Sequence, residues 1–246
     1  MSSEVPAFPP THLVFREDAY LDRAEGTVTG FHEGMLILDR TLFYPASGGQ
    51  PSDFGTIRHP DGHEIPAEGL RYLDAAKTVI GHALPEGEDA ARWQGARVAM
   101  TLDFARRHAL MRMHSALHLL SVALPYPVTG GAIGTEEGRL DFDIPDSGLG
   151  KEEITARLVD LIATDAPIRD RWISEDELDA NPGLVKTMSV KPPRGAGRIR
   201  LVEIEGLDLQ PCGGTHVART GEIGRVVVTN IEKKGRQNRR VRIAFA

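Results

Sequence analysis

Through the first hundred residues, apolar and polar positions alternate in short bursts such as GTVTGF, GMLILDR and ARVAMTL, and DG, PEG and SGG turn sequences interrupt them. The pattern predicts a small β-barrel over residues 1–101. The period then changes. In FARRHALMRMHSALHLLSVAL the residues Leu110, Met113, Leu117, Leu120 and Leu124 recur at intervals of three and four, and no Gly or Pro interrupts Phe104 to Leu124. This predicts an amphipathic helix that Asp103 caps and Pro125 ends. Beyond it the pattern predicts a strand at 139–144, a second amphipathic helix near 152–165, a strand at 168–173, a short helical turn at EDELDAN, and strands near 198–204 and 224–231. Long helices beside a run of strands, without βαβ alternation, imply an α+β domain with a mainly antiparallel sheet over residues 102–246. No internal repeat or low-complexity tract is visible.

With 246 residues, of which 41 % are hydrophobic, the chain has ample material for packed cores. It contains no apolar run of about 18 residues or more, and MSSEVPAFPPTHLVF has neither the basic start nor the apolar centre of a signal peptide. A cytoplasmic protein with no membrane partner is expected. The net charge of −6 argues against a general nucleic-acid binder. From Arg194 to Arg242, however, eleven Lys and Arg stand against five Asp and Glu. Lys233, Lys234, Arg236, Arg239 and Arg240 lie in one segment that could track phosphates, with a solvated strand face as the alternative.

The single cysteine, Cys212, cannot form an internal disulfide, so it is a buried thiol, a nucleophile, a metal ligand or an accident of sequence. Gly213 and Gly214 after it suggest a tight turn. His216 follows four positions on. Upstream, His114 and His118 are also four apart, one turn apart on one face of the predicted helix. Residue 115 is Ser, not Glu, so the helical metalloprotease motif with its built-in base is absent. A thiolate and three imidazoles, brought in as two pairs on different elements, form a ligand set suited to Zn2+.

HSALHLL followed by CGGTHVARTGEIG closely resembles the editing domain shared by alanyl-tRNA synthetase and the free-standing alanyl-tRNA editing proteins called AlaX; threonyl-tRNA synthetase has a related domain. FYPASGGQPSDFG at 43–55, RLDFDIP at 139–145 and KKGRQNRRVRIAF at 233–245 resemble further motifs of the same family, in the same order. Ala46 stands where synthetase versions often carry an acidic residue, and VTGGAIG at 128–134 lacks the glutamine many of them carry.

The resemblance implies a translation-protein-like barrel joined to a two-layer editing domain that binds Zn2+ through His114, His118, Cys212 and His216. It implies hydrolysis, in trans, of the ester between a wrong amino acid, serine or glycine, and the terminal adenosine of tRNA(Ala). The partner is then the acceptor end of that tRNA, and no nucleotide cofactor is called for. The loop with Gly48, Gly49 and Gln50 is expected to fold back on the editing site, with Gln50 as a polar contact. Thr215, beside the metal turn, and Thr129 are candidates because they carry hydroxyls in predicted loops, and Thr215 and Gln50 are the candidates for a direct part in the reaction. A pocket cannot strongly reject an isostere by one methyl or hydroxyl, which is the physical reason a second, correcting site is needed at all. Two other classes stay open: a zinc-stabilised tRNA-binding module without catalysis, and a metal hydrolase of another small ester or amide.

Overall fold

The computed structural model describes residues 8–144, 150–187 and 197–246. Pro145, Arg194 and the first seven residues, each part of a motif, charge count or terminal reading above, lie outside them. The chain divides into two units, Met1–Ser47 with Pro51–His108 and Gly48–Gln50 with Ala109–Ala246.

The first unit is built on one seven-stranded sheet. Its strands are β1 (Arg23–His32), β2 (Met35–Leu38), β3 (Gly55–Arg58), β4 (Glu64–Pro66), β5 (Arg71–Tyr72), β6 (Ile80–Ala83) and β7 (Arg97–Leu102), ordered β4-β3-β7-β1-β2-β6-β5. Every pairing is antiparallel. β1 is the longest strand and serves two partners: Arg23–Thr27 pair with β7, and Val28–His32 pair with β2 across a bulge between Val28 and Gly30. From the wholly buried run MLIL in β2, Leu36 and Leu38 join Val28, Phe43, Tyr44, Ile57, Trp93 and Met100 in the core.

The alternation was a sound guide to strands, but the expected barrel is not there. The sheet is open, because its edge strands β4 and β5 do not pair with each other. The segment between them, residues 67–70, spends its backbone elsewhere: Ala67 N–H donates to Gly55 O, and Leu70 O accepts from Ala46 N–H. Pro66, at the end of β4, has no N–H to offer a further strand.

The helix α1 (Phe104–Ala123) follows. Asp103 caps it, its carboxylate accepting from the Arg106 N–H at 3.0 Å. Only its first turns carry the mixed pattern of an amphipathic helix. From Met113 to Ser121 every residue is buried, histidines and serines included, so this part of α1 is enclosed on all sides.

The second unit adds β8 (Val128–Ile133), β9 (Glu137–Asp143), α2 (Lys151–Ala163), β10 (Ile168–Ser174), α3 (Glu175–Ala180), β11 (Arg198–Ile204), β12 (Asp208–Pro211), β13 (Val226–Lys233) and β14 (Asn238–Phe245). They form a four-stranded sheet β8-β9-β14-β13 and a three-stranded sheet β10-β11-β12, both antiparallel. α2 buries Ile154, Leu158 and Ile162, a stripe repeating every four residues, and Thr155 Oγ1 accepts from Val228 N–H of β13. Ser174 starts α3 with a capping box closed by Glu177. Among the described residues, no helix is long and apolar enough to cross a membrane.

Candidate metal centre

β12 and the turn after it project Asp208, Gln210 and Cys212 to one face, since alternate residues of a strand share a side. α1 meets that face with His114 and His118. The ligand atoms of His114, His118, Cys212 and His216 all lie within 4.8 Å of one another. Cys212 Sγ is 3.5 Å from His114 Nε2 and 3.3 Å from His216 Nε2. Bond lengths of roughly 2.3 Å to sulfur and 2.0–2.1 Å to nitrogen put those atoms about 3.5 Å apart around a tetrahedral Zn2+. Donor type and separation both fit such an ion.

Each imidazole is held by its other nitrogen. His114 Nδ1 is 2.9 Å from Gln50 Oε1, His118 Nδ1 is 3.0 Å from Asp208 Oδ2, and His216 Nδ1 is 3.2 Å from Ser115 Oγ. All three rings are thereby oriented with Nε2 toward the shared centre, the arrangement that sets tautomer and direction in metal-binding histidines. Asp208 is anchored in turn: Lys186 Nζ donates to Oδ1 at 2.5 Å and Gln210 Nε2 to Oδ2 at 2.7 Å.

The electrostatics favour a thiolate at Cys212. Burial alone would raise the Cys212 thiol, but the charges of His114 and His216 and hydrogen bonds from His114 and His118 hold it well below its ordinary value. Burial opposes charge on His118 as well; Asp208 and Cys212 outweigh it and raise that imidazole to about 9. Burial and the neighbouring His114 push His216 well below its usual value. A thiolate pressed among imidazoles is a site built around positive charge.

Gln50, 2 % exposed, links the glycine loop to the centre. Besides holding His114, its Oε1 accepts from Thr215 N–H at 3.2 Å and its Nε2 donates to Thr215 Oγ1 at 2.9 Å. Gly48 and Gly49 turn the chain into this position with φ of +59° and +84°, which side chains rarely tolerate. Gly49 O also accepts from Ile133 N–H of β8. Gly214 is required for a different reason. A Cβ there would press on the His114 ring and lie 2.6 Å from Gln50 Oε1, whereas one on Gly213 would meet open space.

The family of the threonyl and alanyl tRNA synthetase second additional domain matches residues 199–242. Over 94 % of this chain, an alanyl-tRNA editing protein AlaX-M of Methanosarcina mazei is 33 % identical, with 95 % of its own length covered. The chain belongs to the alanyl-tRNA editing protein family. Another AlaX-M, from Saccharolobus solfataricus, is 30 % identical with 97 % of its length covered. An alanine–tRNA ligase of Korarchaeum cryptofilum is 34 % identical, but the chain spans only 26 % of that protein.

For this member of the alanyl-tRNA editing family, the other predicted residues are placed as follows. Thr129 lies on β8, not in a loop, and its hydroxyl donates to Asp141 O and accepts from Asn238 Nδ2 within the sheet. Of the basic segment, Lys234 pairs with Glu232 at 2.8 Å and Arg240 grips Asp141 through two bonds of 2.7 and 2.9 Å. Arg239 is 6 % exposed and donates to Gly235 O and Asn238 O. Lys233 and Arg236 are exposed at the β13–β14 turn.

Four residues of the centre escaped the sequence reading. Asp208, Gln210 and Ser115 hold the ligands, as described. Arg200 carries the cysteine turn: its Nη1 donates to Cys212 O at 2.8 Å and Gly214 O at 2.9 Å, while its other nitrogens hold Asp170. The available clue was alternation, since Asp208-x-Gln210-x-Cys212 puts two polar residues on the face of a presumed ligand.

Proposed function

We propose that the chain is a trans-acting hydrolase that removes serine, and glycine, from mischarged tRNA(Ala), with Zn2+ held by His114, His118, Cys212 and His216. The observation that carries the reading is the ligand cluster in which each imidazole is aimed by a separate buried partner, in a chain that matches free-standing editing proteins along nearly their whole length. Bound there, Zn2+ supplies a Lewis acid for the aminoacyl ester.

The chain's own groups do the rest. Gln50 and Thr215 bond one another beside His114, and the hydrogens that would meet a substrate hydroxyl are the second one on Gln50 Nε2 and the one on Thr215 Oγ1. Alanine, lacking that hydroxyl, would leave such groups without the partner serine provides, which is how a polar site ranks serine above alanine; glycine gains nothing from these contacts and would have to be admitted by its smaller size. Gly48 and Gly49 bring Gln50 there. Lys233 and Arg236 are the basic residues of the β13–β14 turn best placed for phosphate, with Lys234, Arg239 and Arg240 in supporting roles. Residues 102–246 act as the editing domain, in the cytoplasm where tRNA is charged.

Purified protein should release serine from Ser-tRNA(Ala) faster than alanine from Ala-tRNA(Ala), and should lose that activity on metal removal and regain it with Zn2+. Equal rates on both substrates would defeat the specificity. Full activity in protein shown by elemental analysis to be metal-free would defeat the metal's role.

A further inference from the structure

β10 is an edge strand of the three-stranded sheet, and its Trp172 is exposed, with 43 % of the residue's surface accessible. A single exposed ring is ordinary on a protein surface; this one is singled out by what surrounds it. Trp172 is the register partner of Arg200 on β11, and on the far side of Arg200 the Cys212 N–H donates to Arg200 O at 3.2 Å. Trp172, Arg200 and Cys212 therefore form one cross-strand row. Residues opposite one another across a sheet share a face, so the indole stands on the same side as the thiol of the metal centre. With neighbouring strands about 4.8 Å apart, the two backbones are separated by about 10 Å.

The row is also cationic. Arg198, two residues along β11 and on that face, places its guanidinium 5.3 Å from the indole centroid. Arg200 lies between, its charge shared between Asp170 and the carbonyls of Cys212 and Gly214. An exposed ring flanked by guanidinium, on the face of a site whose substrate carries a negatively charged backbone, has the composition of a stacking platform for a nucleobase.

We infer that Trp172, with Arg198, stacks a base of the single-stranded 3′ end of the RNA whose ester is presented to the metal centre. The inference rests on the editing reading. It adds a contact that selects single-stranded RNA by its π-face and charge, not by base identity, and it places the incoming strand along β10 and β11.

Fluorescence tests it directly, because the chain has two tryptophans and Trp93 is fully buried. Titration of the full-length protein with a short single-stranded RNA ending in adenosine should change the emission of Trp172. Trp172→Ala should weaken binding of that RNA about 5- to 100-fold, Trp172→Phe should recover most of it, and metal content should be the same in all three proteins. Unchanged RNA affinity in Trp172→Ala, with deacylation of Ser-tRNA(Ala) intact in wild type, overturns the platform and leaves editing standing. Absence of deacylation by the metal-loaded wild type overturns the editing reading and the platform with it. A wild-type dimer that Trp172→Ala dissolves assigns the ring to self-association and likewise overturns the proposal.

Discussion

Gln50 and His114, 64 positions apart, meet through a 2.9 Å hydrogen bond in which the ring Nδ1–H donates to the amide oxygen. The same oxygen takes the Thr215 N–H, so one side chain fixes both a helix ligand and the turn that carries His216. Gln50→Leu is expected to lower metal affinity about 10- to 100-fold, the usual effect of removing a partner from a ligating histidine. Gln50→Glu keeps acceptors for His114 and Thr215 N–H and should lose less. Competition with a chromogenic chelator measures both; equal affinity in wild type and Gln50→Leu would refute the positioning role.

The two glycines after Cys212 should respond oppositely to the same substitution. Gly214→Ala drives a methyl into the His114 ring and Gln50, so reduced metal content and a lower melting temperature are expected. Gly213→Ala adds a methyl to open space at a residue without positive φ and should leave both unchanged. Parallel elemental analysis and thermal melts check the pair.

The cluster of candidate ligands was legible because each half is a local pattern: His114 and His118 are one helical turn apart, and Cys212 and His216 share one turn of chain. Strand alternation was legible for the same reason, and β11 lies where the pattern put it, at Arg198–Ile204. What failed was non-local. Whether seven strands close into a barrel depends on β4 meeting β5, and no period in either strand encodes that meeting. The burial of α1 on all sides from Met113 to Ser121 depends on what surrounds it. Asp208 and Ser115 reach their histidines across 90 and 101 positions, and Arg200 was counted only as positive charge. Charge counting also could not show that Arg240 and Lys234 have carboxylate partners close by, Asp141 and Glu232.

Asp53, inside the glycine-rich motif, forms a fully buried ion pair with Arg107. Arg107 also donates to Ala19 O at 3.0 Å and Leu42 O at 2.8 Å, and Asp53 accepts the Tyr44 N–H at 2.5 Å. Deleting one charge strands the other without water. Asp53→Asn should therefore destabilise the protein by about 3–5 kcal/mol, read as a lower urea midpoint with little change in slope. A loss under about 1 kcal/mol would mean that water reaches Arg107.

His82 supplies a test in pH. It is fully buried, with Nδ1 3.3 Å from Leu36 O and Nε2 2.9 Å from Thr41 Oγ1. A carbonyl only accepts, so Nδ1 carries the proton and Nε2 accepts from the threonine hydroxyl. Burial disfavours the imidazolium and lowers the group from 6.5 to about 4. Between those values the unfolded chain binds a proton that the folded chain refuses, so stability rises with pH across this window and falls as pH drops from 6.5 toward 4. The full difference is on the order of 3 kcal/mol, at about 1.4 kcal/mol for each pH unit. Below about pH 4 both states are protonated and this contribution flattens. His82→Gln keeps polar atoms near Thr41 and Leu36 but cannot titrate. It should lower stability at pH 7.5 and make the decline from pH 6.5 to 4 shallower by most of that amount. Urea melts of both proteins at half-unit intervals give the comparison, and parallel curves for wild type and variant would show that His82 is not the buried neutral group responsible.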